Sequence, residues 1–477
     1  MKKRVFVIAL LLLLCGTLVF ATGGRQGSAS GTPTLTWWCI GGSPNNLGDA
    51  LKVIGDYTQS RINARLDIKV AGWADAGQRF QTIVNSGEYY DIMFTDSGNY
   101  NRFVSMGAFE DLTNRLATDA PELQRFVPNT LWDGVRINGR IYSVPTYKDS
   151  SKTNFMIWDD VIVRRYNLDI TRIHTFAELD RAFRTIKAGE GSRYYPLQLA
   201  RGSRMDVVFN DDYDSLLIGL PPVGAGTYDK NRKVVSVFEQ PEVMERLRYL
   251  HRWYNDGIIN PDAPVQQETP TQRPFFVAQG WPAAASIWQT NSGVEKYNLE
   301  KLFGPSYSTD SIQGSMNAIS SNSRYKTESL KMLELINTDR KMRDMLAYGI
   351  EGTNFTYVRP TVVRLLSADQ WNLARYQQGT FFNMSTIEGE SEEAWDQVRQ
   401  QNEQATPAEL LGFVFNNSSV INEIANCRAV YDRYSDELLT GASNPDVAVP
   451  AMMRDLYAAG FQKIIDEAQR QVNAFKR

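Results

Sequence analysis

Polar and apolar positions set out the N-terminal stretch of the chain as alternating strands and helices. Thr34 to Ile40 (TLTWWCI) is rich in β-branched and aromatic residues and reads as a buried strand. Gly41-Gly42-Ser43 ends it before a helical segment around Leu47 to Ser60. Leu66, Ile68 and Val70 alternate at the period of a second strand, while Phe80, Ile83 and Val84 share one face of a helix over Gln78 to Asn85. Tyr90 to Phe94 forms a third strand. A β-α-β-α-β run at this spacing predicts parallel crossovers, hence an open, mostly parallel sheet with helices on both faces and ligand contacts at the carboxyl ends of its strands. Two such ends carry polar, turn-forming residues: Gly41-Gly42-Ser43-Pro44-Asn45 and Thr95-Asp96-Ser97-Gly98-Asn99.

The middle of the chain continues in the same style. Thr175 to Glu178 is a capping box, followed by Leu179, Phe183 and Ile186 at helical spacing and by Gly189, placed to stop the helix. Pro241 suits the first turn of another helix, whose apolar face is Val243, Leu247, Leu250 and Tyr254 and which ends at Gly257. His251 lies beside that face and reads as a satisfied or surface histidine. Phe275 to Trp288 resumes strand character, Met316 to Ser320 adds another strand, and from Tyr325 the chain is dominantly helical, with Leu330, Leu333, Met342, Met345 and Leu346 supplying apolar faces. There is no solenoid period, low-complexity block or coiled-coil heptad. A chain that makes one α/β sheet, leaves for a second, returns briefly and finishes in helices gives two lobes, several crossings and a cleft between them.

Composition and charge narrow the partners. The 477 residues are 43% hydrophobic and 22% charged, enough for two or three domains, and 51 Lys plus Arg against 54 Asp plus Glu leave a formal charge of -3. That balance offers no broad basic surface for nucleic acid. Lys2-Lys3-Arg4, the apolar run Val5 to Phe20 and Val19-Phe20-Ala21 read as an export signal over residues 1–21, with a flexible Gly/Ser linker over 22–31. The run is shorter than the roughly 20 residues that span a bilayer. Loss of the signal's three basic residues takes the charge from -3 to -6. Cys15 lacks the small residue that precedes a lipoprotein cysteine, so the expected location is periplasmic or extracellular, with membrane association as the alternative. Cys39 and Cys427 read as two buried small hydrophobes, although an exported protein could pair them.

Catalytic signatures are scarce. With only two histidines, His174 and His251, a His-rich metal site or a Ser-His-Asp relay is disfavoured. No G-x-S-x-G, G-x-x-x-x-G-K-[ST] or C-x-x-C occurs. No metal or cofactor is expected, and no enzymatic activity. Paired carboxylates for glycoside hydrolysis need only two acids across a sugar, for which Asp211-Asp212 or Glu351 could be recruited, but an acid at a helix start is more often a cap. Aromatic residues, in contrast, make up 11% of the chain. A sugar presents a face of C–H groups to an aromatic ring and a rim of hydroxyls to Asp, Asn and Ser. The candidate clusters are Ser43 at the first strand end; Asp96, Ser97 and Tyr100; Tyr147 and Asp149; Asp212 and Tyr213; and Trp288 with Asn291.

The segment Tyr90-Asp91-Ile92-Met93-Phe94-Thr95-Asp96, followed by Phe103 to Leu112, resembles the extracellular solute-binding proteins of carbohydrate ABC importers. In these a "DI-x-F" strand leads to a ligand-contacting loop and "G-x-x-x-[DE]-L" follows. Trp132-Asp133-Gly134 and Asn138 to Pro145 (NGRIYSVP) look like the approach to the first interlobe crossing, and Arg273 to Trp288 resembles the "F-x-x-G-x-x-A" segment entering the second. Tyr348 to Phe355 and the tail from Leu411-Gly412-Phe413 look like the longer, LplA-like subgroup of this maltose-binding-like family. The resemblance implies an α/β two-lobe periplasmic-binding-protein fold of type II with a helical C-terminus. The first lobe would be residues 32–146 plus 290–321 and the second 147–289 plus 322–477. It further implies a monomer that closes on a carbohydrate, commonly an oligosaccharide, and hands it to the transmembrane subunits of an ABC permease. By position, Asp96 and Ser97 match the loop after the "DI-x-F" strand, Asp212 and Tyr213 an acidic-aromatic pair on a helix of the second lobe, and Trp288 an aromatic at the second crossing. The alternatives are a secreted glycosidase or lyase, a binding protein for a non-sugar solute such as a peptide, and a chemoreceptor-type partner or adhesin.

Overall fold

A computed structural model describes residues 31–73, 75–366 and 371–476; for Ile287, Thr290 and Asn291 it describes the backbone only. The export signal, Cys15 and most of the linker lie outside the described residues. Among those described, no helix is long and apolar enough to cross a membrane.

In the first lobe the strand Thr34–Ile40 sits between Arg65–Ala71 and Ile92–Thr95 and runs parallel to both. Its alternation places Leu35, Trp37 and Cys39 in the core. The helices Leu47–Ile62 and Ala76–Ser86 cover the sheet with Ile54, Phe80 and Ile83, and Gly87, at φ 68°, supplies the left-handed residue that ends the second helix. Met316–Ile319 then inserts antiparallel between Ile92–Thr95 and Ser143–Pro145, completing a five-stranded sheet.

The second lobe is less parallel than the crossover pattern predicts. Its central strand, Lys152–Asp159, is antiparallel to both Phe275–Gln279 and Tyr297–Tyr307, because these strands arrive through long excursions rather than βαβ units. Thr175–Glu178 forms the expected capping box on the helix Phe176–Glu190. That helix runs through Gly189: the residue admits Tyr166, whose ring a Cβ there would overlap, and Gly191 provides the stop. On the helix Pro241–Asn255 the buried face is Val243, Leu247, Leu250 and Trp253, with Tyr254 at its margin. Ala283 to Trp288 is helical rather than extended. Pro282 starts a turn that leads into the helix Ala285–Ser292, and Gly293 ends it. The later chain is helical in Lys326–Thr338, Arg340–Tyr348, Ala394–Gln404 and from Ile421, but between Tyr348 and Ala394 its described residues form loops and a small sheet, in which Phe355–Arg359 pairs with Val362–Leu365 and Val362–Leu365 with Thr386–Ile387.

Packing divides the chain differently from the expected partition. The helices Lys326–Thr338 and Arg340–Tyr348 bury Leu330, Leu333, Met342 and Leu346 in the first core, not the second, because they lie against the helix Leu47–Ile62. Tyr297–Tyr307 belongs to the second lobe's sheet, not the first. The helical tail, Ile421–Leu439, Pro445–Ala458 and Phe461–Ala474, packs into the second core, where Cys427 is buried and free; Cys39 is buried and free in the first. Among the described residues five crossings join the lobes, near Thr146–Lys152, Gln279–Trp281, Ala284–Val294, Gly304–Tyr307 and Ala405–Leu411.

Candidate functional site

The crossings form the floor of a cleft of about 720 Å³. Ser97, Gly98 and Tyr376 wall it from the first lobe, Phe209, Tyr213, Asp214 and Val223 from the second, and Lys148, Lys152, Gln279, Ser306 and Asp310 come from or beside the crossings.

Local chemistry places these groups. Asp96 ends the strand Ile92–Thr95 and makes its own turn: its side chain accepts from the Gly98 N–H at 3.1 Å and its carbonyl from the N–H groups of Asn99 and Tyr100. This holds Ser97 and Gly98 at the cleft. On the opposite wall Asp214 ends a two-residue strand, and one carboxylate oxygen accepts from the Leu216 N–H at 2.8 Å. Burial, reinforced by Asp310, pushes this carboxyl up to about 6 against the pull of the Leu216 N–H and Lys152. Burial also raises Asp96, again with Asp310 adding to it. Ser308 caps the short helix that carries Asp310.

The cations of the cleft are committed. Lys152 pairs with Asp211 at 2.7 Å and lies 5.6 Å from the centre of the Phe303 ring, Lys148 pairs with Asp149 at 2.7 Å, and Arg428 pairs with Asp432 at 3.1 Å. The aromatic surface is concentrated at Tyr376. Its ring meets Phe94 edge-on and stacks on Trp73, each at 6.3 Å, and Trp73, just past the end of the strand Arg65–Ala71, is 60% exposed.

Of the residues the sequence singles out, Ser97 and Tyr213 line the cleft, with Asp96 directly behind. Asp212 and Tyr213 lie on a turn and a short strand, not on a helix; Asp212 pairs with Arg246, and the Tyr213 hydroxyl donates to Glu242. Tyr100 is a core residue: it is fully buried, donates to the Val135 carbonyl at 2.7 Å and accepts from the Tyr142 N–H. Tyr147 is also buried, packed between Phe126 and Phe382 where it anchors the first crossing. Asp149 acts on the cleft through Lys148. Ser43 is exposed in the turn after the first strand and lines none of the cavities described here. Trp288 faces a side chamber of about 460 Å³ beside the cleft and meets Phe276 edge-on at 5.8 Å. Asn291 follows on the same helix, its side chain outside the described residues. His251 is satisfied, by the Gly441 carbonyl at 2.9 Å. Among the described residues no His, Cys, Asp and Glu cluster is placed to hold a metal ion.

Trp73, Tyr376, Asp214 and Asp310 were not singled out. Trp73 obeys the strand-end rule and was findable on it. Tyr376 reaches the cleft only through long-range packing.

Comparison with known proteins agrees with this geometry. The sequence profile of bacterial extracellular solute-binding proteins matches residues 46–340, and that of a domain of unknown function matches 409–477, the helical tail. A carbohydrate ABC transporter substrate-binding protein of Streptococcus pneumoniae serotype 4 is 26% identical over 99% of this chain and 97% of its own length. The crystal structure of an N-glycan transport solute-binding protein from Streptococcus pneumoniae superposes with a TM-score of 0.84 at 25% identity, covering 93% of this chain and 98% of that one. The same protein in complex with Man1GlcNAc or Man5GlcNAc gives TM-scores of 0.75 and 0.72 over the same 93% of this chain. The profile match runs from the first helix through four of the five crossings, more than half of the sequence, and the chain belongs to the bacterial extracellular solute-binding protein family.

Proposed function

We propose that the protein is the substrate-binding component of an ABC importer, exported to the periplasm or cell exterior, where as a monomer it captures an oligosaccharide in the interlobe cleft and delivers it to the permease. The cleft carries this reading. It offers an aromatic surface at Tyr376, Tyr213 and Phe303 beside hydroxyls and carboxylates at Ser97, Ser306, Asp214 and Asp310. That pairing suits the apolar face and hydroxyl rim of a pyranose. A ligand touching both walls stabilises the closed arrangement of the lobes by its extra contacts there, and bending at the crossings supplies the motion. In support, the fold superposes better on the pneumococcal relative with no sugar named than on its two sugar complexes.

Calorimetric titration with mannose- and N-acetylglucosamine-containing oligosaccharides tests the proposal. Saturable binding is expected, and Tyr376→Ala should weaken it about tenfold or more, which corresponds to about 1.4 kcal/mol. A response to peptides alone would overturn the substrate class. Recovery of cleaved sugar after incubation would instead favour the glycosidase reading.

A further inference from the structure

Two smaller spaces adjoin the cleft, and they differ in character. The side chamber of about 460 Å³ is lined by charged groups: Arg204 lies 3.6 Å from Asp206 and 3.0 Å from Asp436, and the Arg273 guanidinium lies 4.2 Å from the centre of the Phe276 ring. The other, of about 240 Å³, is walled by Trp281, Tyr376, Phe381, Met384 and Trp395. Trp281 and Trp395 stand 6.0 Å apart at 47°, and Phe381 and Trp395 4.9 Å apart at 45°, leaving ring faces tilted about one space. Arg375, Glu390 and Ser391 bring polar groups to it. Tyr376 lines both this chamber and the cleft, so the two meet at one aromatic ring.

The walls also hold unmet donors. Trp281 is only 8% exposed, and the buried indole N–H groups of Trp281 and Trp395 find no hydrogen-bond acceptor among the described residues. Buried N–H groups are nearly always satisfied; these two nitrogens have next to no accessible surface, so an acceptor from outside the chain reaches them only as an occupant turns the indole rings. A purely apolar occupant leaves both donors unmet. A pyranose lays its C–H face on the rings and offers hydroxyl, ring or acetamido oxygens to the indoles.

We propose that this chamber receives one sugar ring, a branch or terminal residue of the oligosaccharide whose remaining rings lie in the cleft. The inference rests on the sugar-binding reading of the cleft and deepens it: the preferred ligand is longer or more branched than the cleft alone accommodates. Its volume, a third of the cleft's, fits the smaller part of such a ligand.

Filling the chamber from its rim separates the two readings. Ala283→Phe places a ring into it from the second crossing, and Ser391→Trp does so from an exposed position where folding is not at stake. Affinities for Man1GlcNAc and Man5GlcNAc are measured for wild type and both variants by calorimetry. Wild type should bind the larger sugar at least tenfold more tightly. Each filled variant should lose that increment while keeping wild-type affinity for the smaller sugar. Variants that bind both sugars as wild type does, or that lose both equally while melting normally, overturn the chamber assignment. Wild type that binds neither sugar overturns the cleft reading itself, a distinct outcome.

Discussion

Asp214→Asn tests whether the second wall of the cleft carries a carboxylate that the fold is reluctant to ionise. Asp214 is 9% exposed; one of its oxygens accepts from the Leu216 N–H, and the other is buried without a partner among the described residues. Its pKa rises from 3.8 to about 6, chiefly by burial. Between those values the native state holds a proton that the unfolded state has released. The stabilisation from that proton is complete below the unfolded pKa and is lost as pH rises through the folded one. Two pKa units at about 1.4 kcal/mol each make the loss about 3 kcal/mol between pH 4 and pH 7. Asparagine does not titrate. It keeps the acceptor for Leu216 but puts an unpaired N–H group where the second oxygen was, at a roughly pH-independent cost of about 1–3 kcal/mol. The variant should therefore be less stable than wild type at pH 4 and equal to it or more stable at pH 7. The difference between the two proteins should swing by about 3 kcal/mol. Urea unfolding of both at the two pH values measures it, since carboxylates with lowered pKa, such as Glu467, pulled down to about 2 by Arg470, act equally in both proteins and cancel. A stability difference that is the same at pH 4 and pH 7 would refute the reasoning.

Three further outcomes follow from the packing. Arg343 is fully buried and donates to the carbonyls of Thr380 and Arg375 and to the Gln378 side chain, so Arg343→Met should destabilise the first lobe by roughly 3–5 kcal/mol. Arg343→Lys should not restore it, because one ammonium cannot span three acceptors held by a planar fork, and both variants should weaken sugar binding because Tyr376 lies in the anchored segment. Gly441, at φ 82°, packs so closely on the Leu250 carbonyl that a Cβ would overlap it; Gly441→Ala should cost more than the ~1–2 kcal/mol of the left-handed conformation alone, read from the melting of the second lobe. Cys39 and Cys427 are buried in separate cores, so a thiol reagent should find both unreactive in the native mature protein and both reactive after denaturation; no modification in the denatured state would indicate a bridge.

What the sequence disclosed depended on how far each structural cause reaches along the chain. The first three strands and two helices were legible because alternation and helical spacing decide them within a dozen residues, and the Thr175 box because three residues suffice. Ala283 to Trp288 was not, since a short apolar run fits either a strand or a helix; Pro282 and the left-handed Gly293 settle it at the flanks. The hairpin at Phe355 to Leu365 escaped because strong helices precede it and its partner strand, Thr386–Ile387, lies beyond the next loop.

The same rule sorts the candidate site. Ser97 was found since strand ends carry their own turn chemistry, and Tyr213 as the aromatic partner of Asp212, although that pair was expected on a helix. Tyr100 satisfies that local rule equally well and is nevertheless core: what decides it is the Val135 carbonyl, 35 residues away, which takes its hydroxyl inward. Tyr376 is the converse case. Nothing beside it in sequence marks a site; it reaches the cleft because Arg343, some thirty residues earlier, fixes its segment and Trp73 and Phe94, in the first sheet, receive its ring. An aromatic next to an acid at a strand end is thus a statement about a turn, and whether the ring faces solvent or core depends on distant partners: the Val135 carbonyl claims the Tyr100 hydroxyl, and Phe126 and Phe382 enclose the Tyr147 ring. Trp73, 60% exposed at a strand end and lacking any hydrogen-bonded tether among the described residues, is the aromatic for which the local rule and the long-range packing agree.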